Sequence, residues 1–336
     1  METKVEKERD YFFDNLRFIF IALVVIGHFI SPLANIKSMK LLYRFMYLFH
    51  MPGMIFISGY FSKSSVKDGK LVKNKILNYV LLYTIFQIIF TLLNKGKFSI
   101  FQSQNGLWYI QILIAYTLLL PIIERMKKVP VLIISVVLGL LVGIDNQAGH
   151  VASLSRMLVF LPFFLTGYYC KREWIEKIAK YKYVIFSVII FGAIIYFLYQ
   201  TINTKWILEL SAAKSSYSVM KMTILEGTIK RAILYIVSLL MCISLMIITP
   251  KKKTFFSKFG ARTLQIFCLH LIVVILLRKT EFFIWLKQLK HIYAIGIILS
   301  TSIGVTFILG TKVFSYPFDW IMKCKFKHLL KNPEVK

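Results

Sequence analysis

The sequence predicts an all-α, polytopic membrane protein of about ten transmembrane helices with both termini in the cytoplasm. Of its 336 residues, 57% are hydrophobic, above the ~45–50% of soluble domains, and the mean hydropathy is +0.67. Apolar runs of spanning length succeed one another from residue 15 to residue 314. The basic residues are unevenly shared between the segments that join those runs. With the N-terminus inside, the inner segments 1–17, 63–75, 124–129, 171–182, 250–262 and 312–336 carry 28 of the 43 lysines and arginines. That asymmetry is what the positive-inside rule demands.

Taken in order, residues 1–13 are charged and then aromatic. The first apolar run, about 15–34, exceeds a signal-peptide core and lacks a cleavage site, so it is expected to be retained as a span. Further spans are expected at about 41–62, 76–94, 107–123, 130–144, 157–170, 183–200, 232–249, 263–278 and 292–314, the fifth and sixth being short. Lys63, Lys67, Lys70, Lys73 and Lys75 form one inner basic cluster, and Lys251, Lys252, Lys253 and Lys258 another. The outer segment 201–231 is mixed, with Trp206, Glu209, Tyr217, Glu226 and Lys230. It reads either as a helix lying over a cavity or as a passive connector. Residues 1–316 are expected to form one transmembrane domain, with no second domain, and 317–336 a basic cytoplasmic amphipathic tail.

A net charge of +28 in a soluble protein would point to nucleic acid. Sited on inner loops, it reads instead as topology and attraction to anionic lipid, and no nucleic-acid partner is expected. Cys170, Cys242, Cys268 and Cys324 have no CxxC spacing, so neither a disulfide framework nor a metal site is expected. Walker, GxGxxG, GxSxG and HExxH patterns are all lacking.

The informative residues are the polar ones inside spans. Asp14–His28 reads DNLRFIFIALVVIGH. Eleven residues separate Arg17 from His28, about three helical turns, so both project from one face roughly 16 Å apart. Such groups are costly in a membrane helix and point to a functional site. The plainer alternative is an anchoring arginine and a histidine satisfied by a neighbouring helix. A neutral imidazole can accept a proton, as a general base for a hydroxyl acceptor must. Arg17 is always charged; it can pair with Asp14 or a phosphate, or snorkel to the interface. His50, in FHMPGMIFISGYF, lines a cavity or satisfies the carbonyl freed by Pro52. His270, in LQIFCLHLIVV, lines a cavity or bonds across helices. Trp108 and Tyr109 open the fourth span as interfacial belt residues or as cavity walls. Asp145 and His150 sit in the outer loop DNQAGHVAS, near an acceptor or simply solvated.

These residues carry a resemblance. The chain is similar, from about Arg9 to His270, to the membrane acyltransferase-3 family, particularly its fucose 4-O-acetylase-like branch. The most specific match is a basic residue, ten residues, then histidine: Arg17 and His28 within FFDNLRFIFIALVVIGH. FHMPGMIFISGYF is also characteristic, and LWYI at Leu107–Ile110, LPFFLTGYY at Leu161–Tyr169 and FGARTLQIFCLH are weaker matches. The resemblance implies that an acyl group, usually acetyl, passes from cytoplasmic acyl-CoA to a sugar hydroxyl at the outer face. It implies a catalytic role for His28 and an essential one for Arg17. Many relatives carry Arg-x-x-Arg before the third span. Here the stretch is KNKILN, with Lys75-x-x-Asn78 in its place. Lys73 and Lys75 could still meet CoA phosphates as point charges, without the bidentate fork of arginine.

The expectation is therefore a multi-pass O-acetyltransferase of the cell membrane, acting on a cell-surface polysaccharide or glycan precursor. Acetyl-CoA would dock against Arg17, Lys73 and Lys75, Asp14 would orient Arg17, and His28 would activate the hydroxyl or carry the acyl group itself. An exporter of undecorated polysaccharide and a non-catalytic scaffold for envelope synthesis are the rival readings.

Overall fold

The structure, a computed structural model, describes residues 9–67, 70–149 and 152–326. His150 therefore lies outside the described residues, as does the end of the tail from 327. Each expected span contains a helix. In chain order they are α1 (Tyr11–Ile30), α2 (Lys37–Tyr47), α3 (His50–Phe61), α4 (Lys73–Leu93), α5 (Trp108–Glu124), α6 (Lys128–Leu141), α7 (Leu154–Tyr169), α8 (Arg172–Ile178), α9 (Val184–Gln200), α10 (Trp206–Ala212), α11 (Ile224–Ile248), α12 (Ser257–Gly260), α13 (Thr263–Arg278), α14 (Phe282–Gln288), α15 (His291–Leu309) and α16 (Ser315–Lys323). Five of the described helical segments are long and apolar enough to cross a membrane, those containing α1, α4, α9, α11 and α15, and several more are shorter and apolar. One departure from an all-α fold lies in the lysine-rich loop. There β1 (Val66–Lys67) and β2 (Lys70–Leu71) pair antiparallel.

Helix α1 is central, packed against α2, α3, α12, α13 and α15. Asp10 caps it, its carboxylate accepting from Phe13 N at 3.4 Å. Asn15, fully buried, fixes the segment before α13. Its Nδ2 donates to Pro250 O at 2.8 Å and Lys252 O at 3.0 Å, and its Oδ1 accepts from Thr254 Oγ1 at 2.8 Å and Ser257 Oγ at 2.6 Å.

The predicted span 41–62 is two helices broken at Leu48-Phe49. Pro52 has no N–H to give Leu48 O, and Ser238 Oγ of α11 donates to that carbonyl instead, at 2.5 Å. His50 Nδ1 donates to Met46 O at 2.6 Å, a carbonyl that also accepts from Phe49 N at 3.1 Å and is not the one Pro52 frees. Helix α11 begins at Ile224, eight residues before the predicted start. Thr223 Oγ1 caps it by accepting from Glu226 N at 3.2 Å, and Glu226 pairs with Lys230 at 2.5 Å one turn on. These polar residues interrupt hydropathy without interrupting the helix.

The segment 201–223 is docked against the bundle by three arginines. Arg44 donates to Thr201 O at 3.0 Å and to Thr204 O, and Arg156 Nε to Ala212 O at 3.1 Å. Arg231 is buried under the Tyr217 ring, 4.8 Å from its centroid. Helix α10 lays Ile207 and Leu210 into the core and packs on α2. At the other end of the chain, α16 lies along α4, with Phe318 5.7 Å from Phe86 and Asn78 Nδ2 donating to Met322 O at 2.7 Å.

Candidate active site

The helical period of α1 puts Asp14, Arg17 and His28 on one strip, and the neighbours of α1 convert that strip into two features. The first is a cavity of about 270 Å³ beside Arg17, walled also by Ser58, Lys75, Tyr79, Tyr109 and Phe267. The Arg17 guanidinium lies 3.6 Å from the Phe61 ring centroid, a favourable placement for a planar cation. Asp14 stands 3.9 Å from Arg17, but its other oxygen accepts from Arg9 Nε at 2.6 Å. Asp14 is thus shared between two cations and is bonded to Arg9, where the sequence suggested Arg17 alone.

Lys75 reaches the cavity wall and donates to Ser65 Oγ at 2.6 Å. Lys73, two residues earlier on α4, is exposed and not among the cavity walls. Tyr79 lines the cavity one turn beyond Lys75. Tyr79 does not stand out in the sequence by residue type, although its spacing of four residues from Lys75 is a helical signal. Tyr109 is buried, and its hydroxyl donates at 2.7 Å to Ser58 Oγ, which itself donates to Met54 O at 2.8 Å. Trp108 is stacked on Phe160 at 5.5 Å, with Arg156 4.6 Å from its own centroid. The Trp108 ring is thus engaged by two residues of α7. Asp145 is exposed and accepts from Gln147 N at 2.7 Å.

The second feature is a histidine pair. The rings of His28 and His270 lie 5.1 Å apart at 53°. His270 is 0% exposed. Its Nδ1 lies 2.9 Å from Ile266 O, a group that only accepts, so Nδ1 carries the proton and Nε2 is an acceptor. That Nε2 has no partner. A buried acceptor left unpaired is unfavourable by about 1–3 kcal/mol and calls for explanation. The His28 imidazole, partly exposed, makes no hydrogen bond to the described residues. Gly106 adjoins it: a Cβ there would sit 3.8 Å from His28 Nε2 and 3.0 Å from Leu271 Cδ1. Glycine keeps that side of the ring clear.

The two features are neighbours without being one continuous cavity. His28 is not among the walls of the Arg17 cavity. Between them stand Tyr109 and Phe267, with ring centroids 4.8 Å apart, and Phe267 is 6.0 Å from the His270 ring. The arrangement offers a fixed cation at one end, an aromatic constriction, and then two imidazoles with a free acceptor nitrogen.

No curated protein and no solved structure matches this chain. A family model described as an acyltransferase domain matches residues 10–311, most of the chain and all of the elements that build the site. With the cavity, the histidine pair and this match together, the chain belongs to the membrane acyltransferase-3 family.

Proposed function

We propose that this acyltransferase is an O-acetyltransferase of the cell membrane that moves an acetyl group from cytoplasmic acetyl-CoA to a hydroxyl of a cell-surface glycan or its precursor. The observation that carries the reading is the unpaired His28 imidazole beside the buried, unpaired Nε2 of His270, in line along α1 with the Arg17 cavity. The thioester arm enters past Arg17 and Lys75, and the Tyr109 and Phe267 rings, in contact at 4.8 Å, must part for the thioester to reach His28. The glycan hydroxyl arrives from the opposite end, past Gly106.

His28 accepts the hydroxyl proton as the oxygen attacks the thioester carbonyl carbon. The C–O bond forms, the C–S bond breaks, and the CoA sulfur leaves with the proton that His28 held, giving acetyl ester and free CoA. Arg17 holds a negative charge of the donor near the entrance. Asp14 keeps Arg17 in place through the Arg9–Asp14–Arg17 array. The test is to incubate purified protein with labelled acetyl-CoA and envelope glycan. Label in the glycan matched by CoA release supports the reading. Glycan movement across vesicles with no CoA release would show an exporter instead.

A further inference from the structure

A second cavity, of about 430 Å³, lies beside the Arg17 cavity at the same end of the bundle. Arg9, Lys258, Arg262 and Lys312 supply its charge, and no aspartate or glutamate is among its walls. Two of the cations are held in place by the protein. Arg9 is bonded to Asp14 and reaches Ser257 O at 3.3 Å, and Arg262 donates to Gly310 O at 2.8 Å. The ammonium groups of Lys258 and Lys312 make no hydrogen bond to the described residues. Arg9 is already paired with Asp14, but Lys258, Arg262 and Lys312 have no acidic partner among the described residues, and a multivalent anion relieves their mutual repulsion at once.

Ala261 belongs to the walls of both cavities. The two cavities therefore adjoin at Ala261, the basic one on one side and the Arg17 cavity on the other. We propose that the basic chamber binds the phosphates of the donor's nucleotide end, with the pantetheine arm running past Ala261 into the Arg17 cavity. This rests on the acetyl-CoA reading above and adds a subsite to it, formed by the α12–α13 segment and the residues after α15. It moves the main phosphate contacts away from Lys73, which is exposed and outside both cavities. The headgroup of an anionic lipid presents the same chemistry, so the experiment separates the two sources.

The protein is purified in neutral detergent, and acetyl-CoA is compared with its 3′-dephospho analogue. The expected kcat/KM for the analogue is lower by roughly tenfold or more, the size of one charge-assisted phosphate contact. In a Lys258→Gln/Lys312→Gln variant with an unchanged melting temperature, KM for acetyl-CoA rises by about the same factor and the discrimination disappears. Adenosine 3′,5′-bisphosphate raises the melting temperature of the wild type and not of the variant. If the double variant does not fold, the donor comparison on the wild type stands alone. Equal kcat/KM for the two donors overturns the subsite and leaves the acetyltransferase reading intact. Protection by phosphatidylglycerol in phosphatidylcholine vesicles, without protection by the bisphosphate, also overturns it in favour of a lipid. Bisphosphate protection that needs both lysines, with no acetyl-CoA turnover, supports the anion site and overturns the acetyl-CoA reading.

Discussion

Replacing Gly167 by alanine tests how tightly the scaffold holds the site. Helices α3 and α7 cross with glycine on each side. A Cβ on Gly167 would run into Phe56 O, and a Cβ on Gly59 into Phe164 O. Each falls short of an ordinary 3.4 Å contact by roughly 1.5 Å, and the obstacle is backbone, which cannot swing aside. The helices must separate by about that distance. Overpacking of this kind costs about 1–3 kcal/mol, which corresponds to a fall in melting temperature of roughly 1–4 °C for a chain of 336 residues. Ser58, which accepts the Tyr109 hydroxyl at 2.7 Å, rides on α3. The displacement therefore reaches the Arg17 cavity, and KM for the acyl donor should rise together with the loss of stability. The Gly59→Ala/Gly167→Ala double variant should lose less than the two single losses added together, because the first substitution already opens the crossing. Thermal unfolding in detergent reads the first effect and donor kinetics the second. A Gly167→Ala protein with unchanged melting temperature and KM would refute the close crossing.

Three further outcomes follow from the same geometry. Asn15→Ala strands Pro250 O and Lys252 O and leaves the Thr254 and Ser257 hydroxyls with only each other. It should destabilise the protein by at least about 2 kcal/mol and expose the 250–257 segment to protease. Arg44→Met removes the bonds to Thr201 O and Thr204 O; protease should then cut within 201–223 faster, with a loss of about 1–3 kcal/mol. Gly106→Leu places a side chain against His28 Nε2 and Leu271. It should abolish glycan acetylation while leaving the effect of adenosine 3′,5′-bisphosphate on melting unchanged, because the basic chamber lies at the other end of α1.

Features fixed by local period were legible in the sequence. Asp14, Arg17 and His28 share a face because spacings of three and eleven residues are close to one and three whole helical turns. The apolar runs became helices because hydropathy is a local sum. The places where the reading slipped are those where a distant residue decides. The break at Leu48-Phe49 depends on Ser238 supplying the bond that Pro52 cannot. The early start of α11 depends on Thr223, Glu226 and Lys230 satisfying one another within a helix that hydropathy alone would shorten. In the site, the meeting of His28 with His270 joins residues from opposite ends of the chain, and neither periodicity nor composition carries that contact. Arg9 precedes α1, so no helical spacing rule ties it to Asp14, yet their bond is 2.6 Å. Lys73 and Lys75 look equivalent in sequence. The phase of α4 turns Lys75 to the cavity and leaves Lys73 exposed.

Acyl transfer as proposed requires a free imidazole that receives a proton where donor and acceptor meet. A His28→Asn variant keeps a polar side chain of similar reach beside His270 and should retain the wild-type melting temperature. Transfer of label from acetyl-CoA to glycan by that folded protein is the direct measurement. Loss of transfer by roughly a hundredfold or more is expected for removal of a general base. Transfer at the wild-type rate would contradict the central claim.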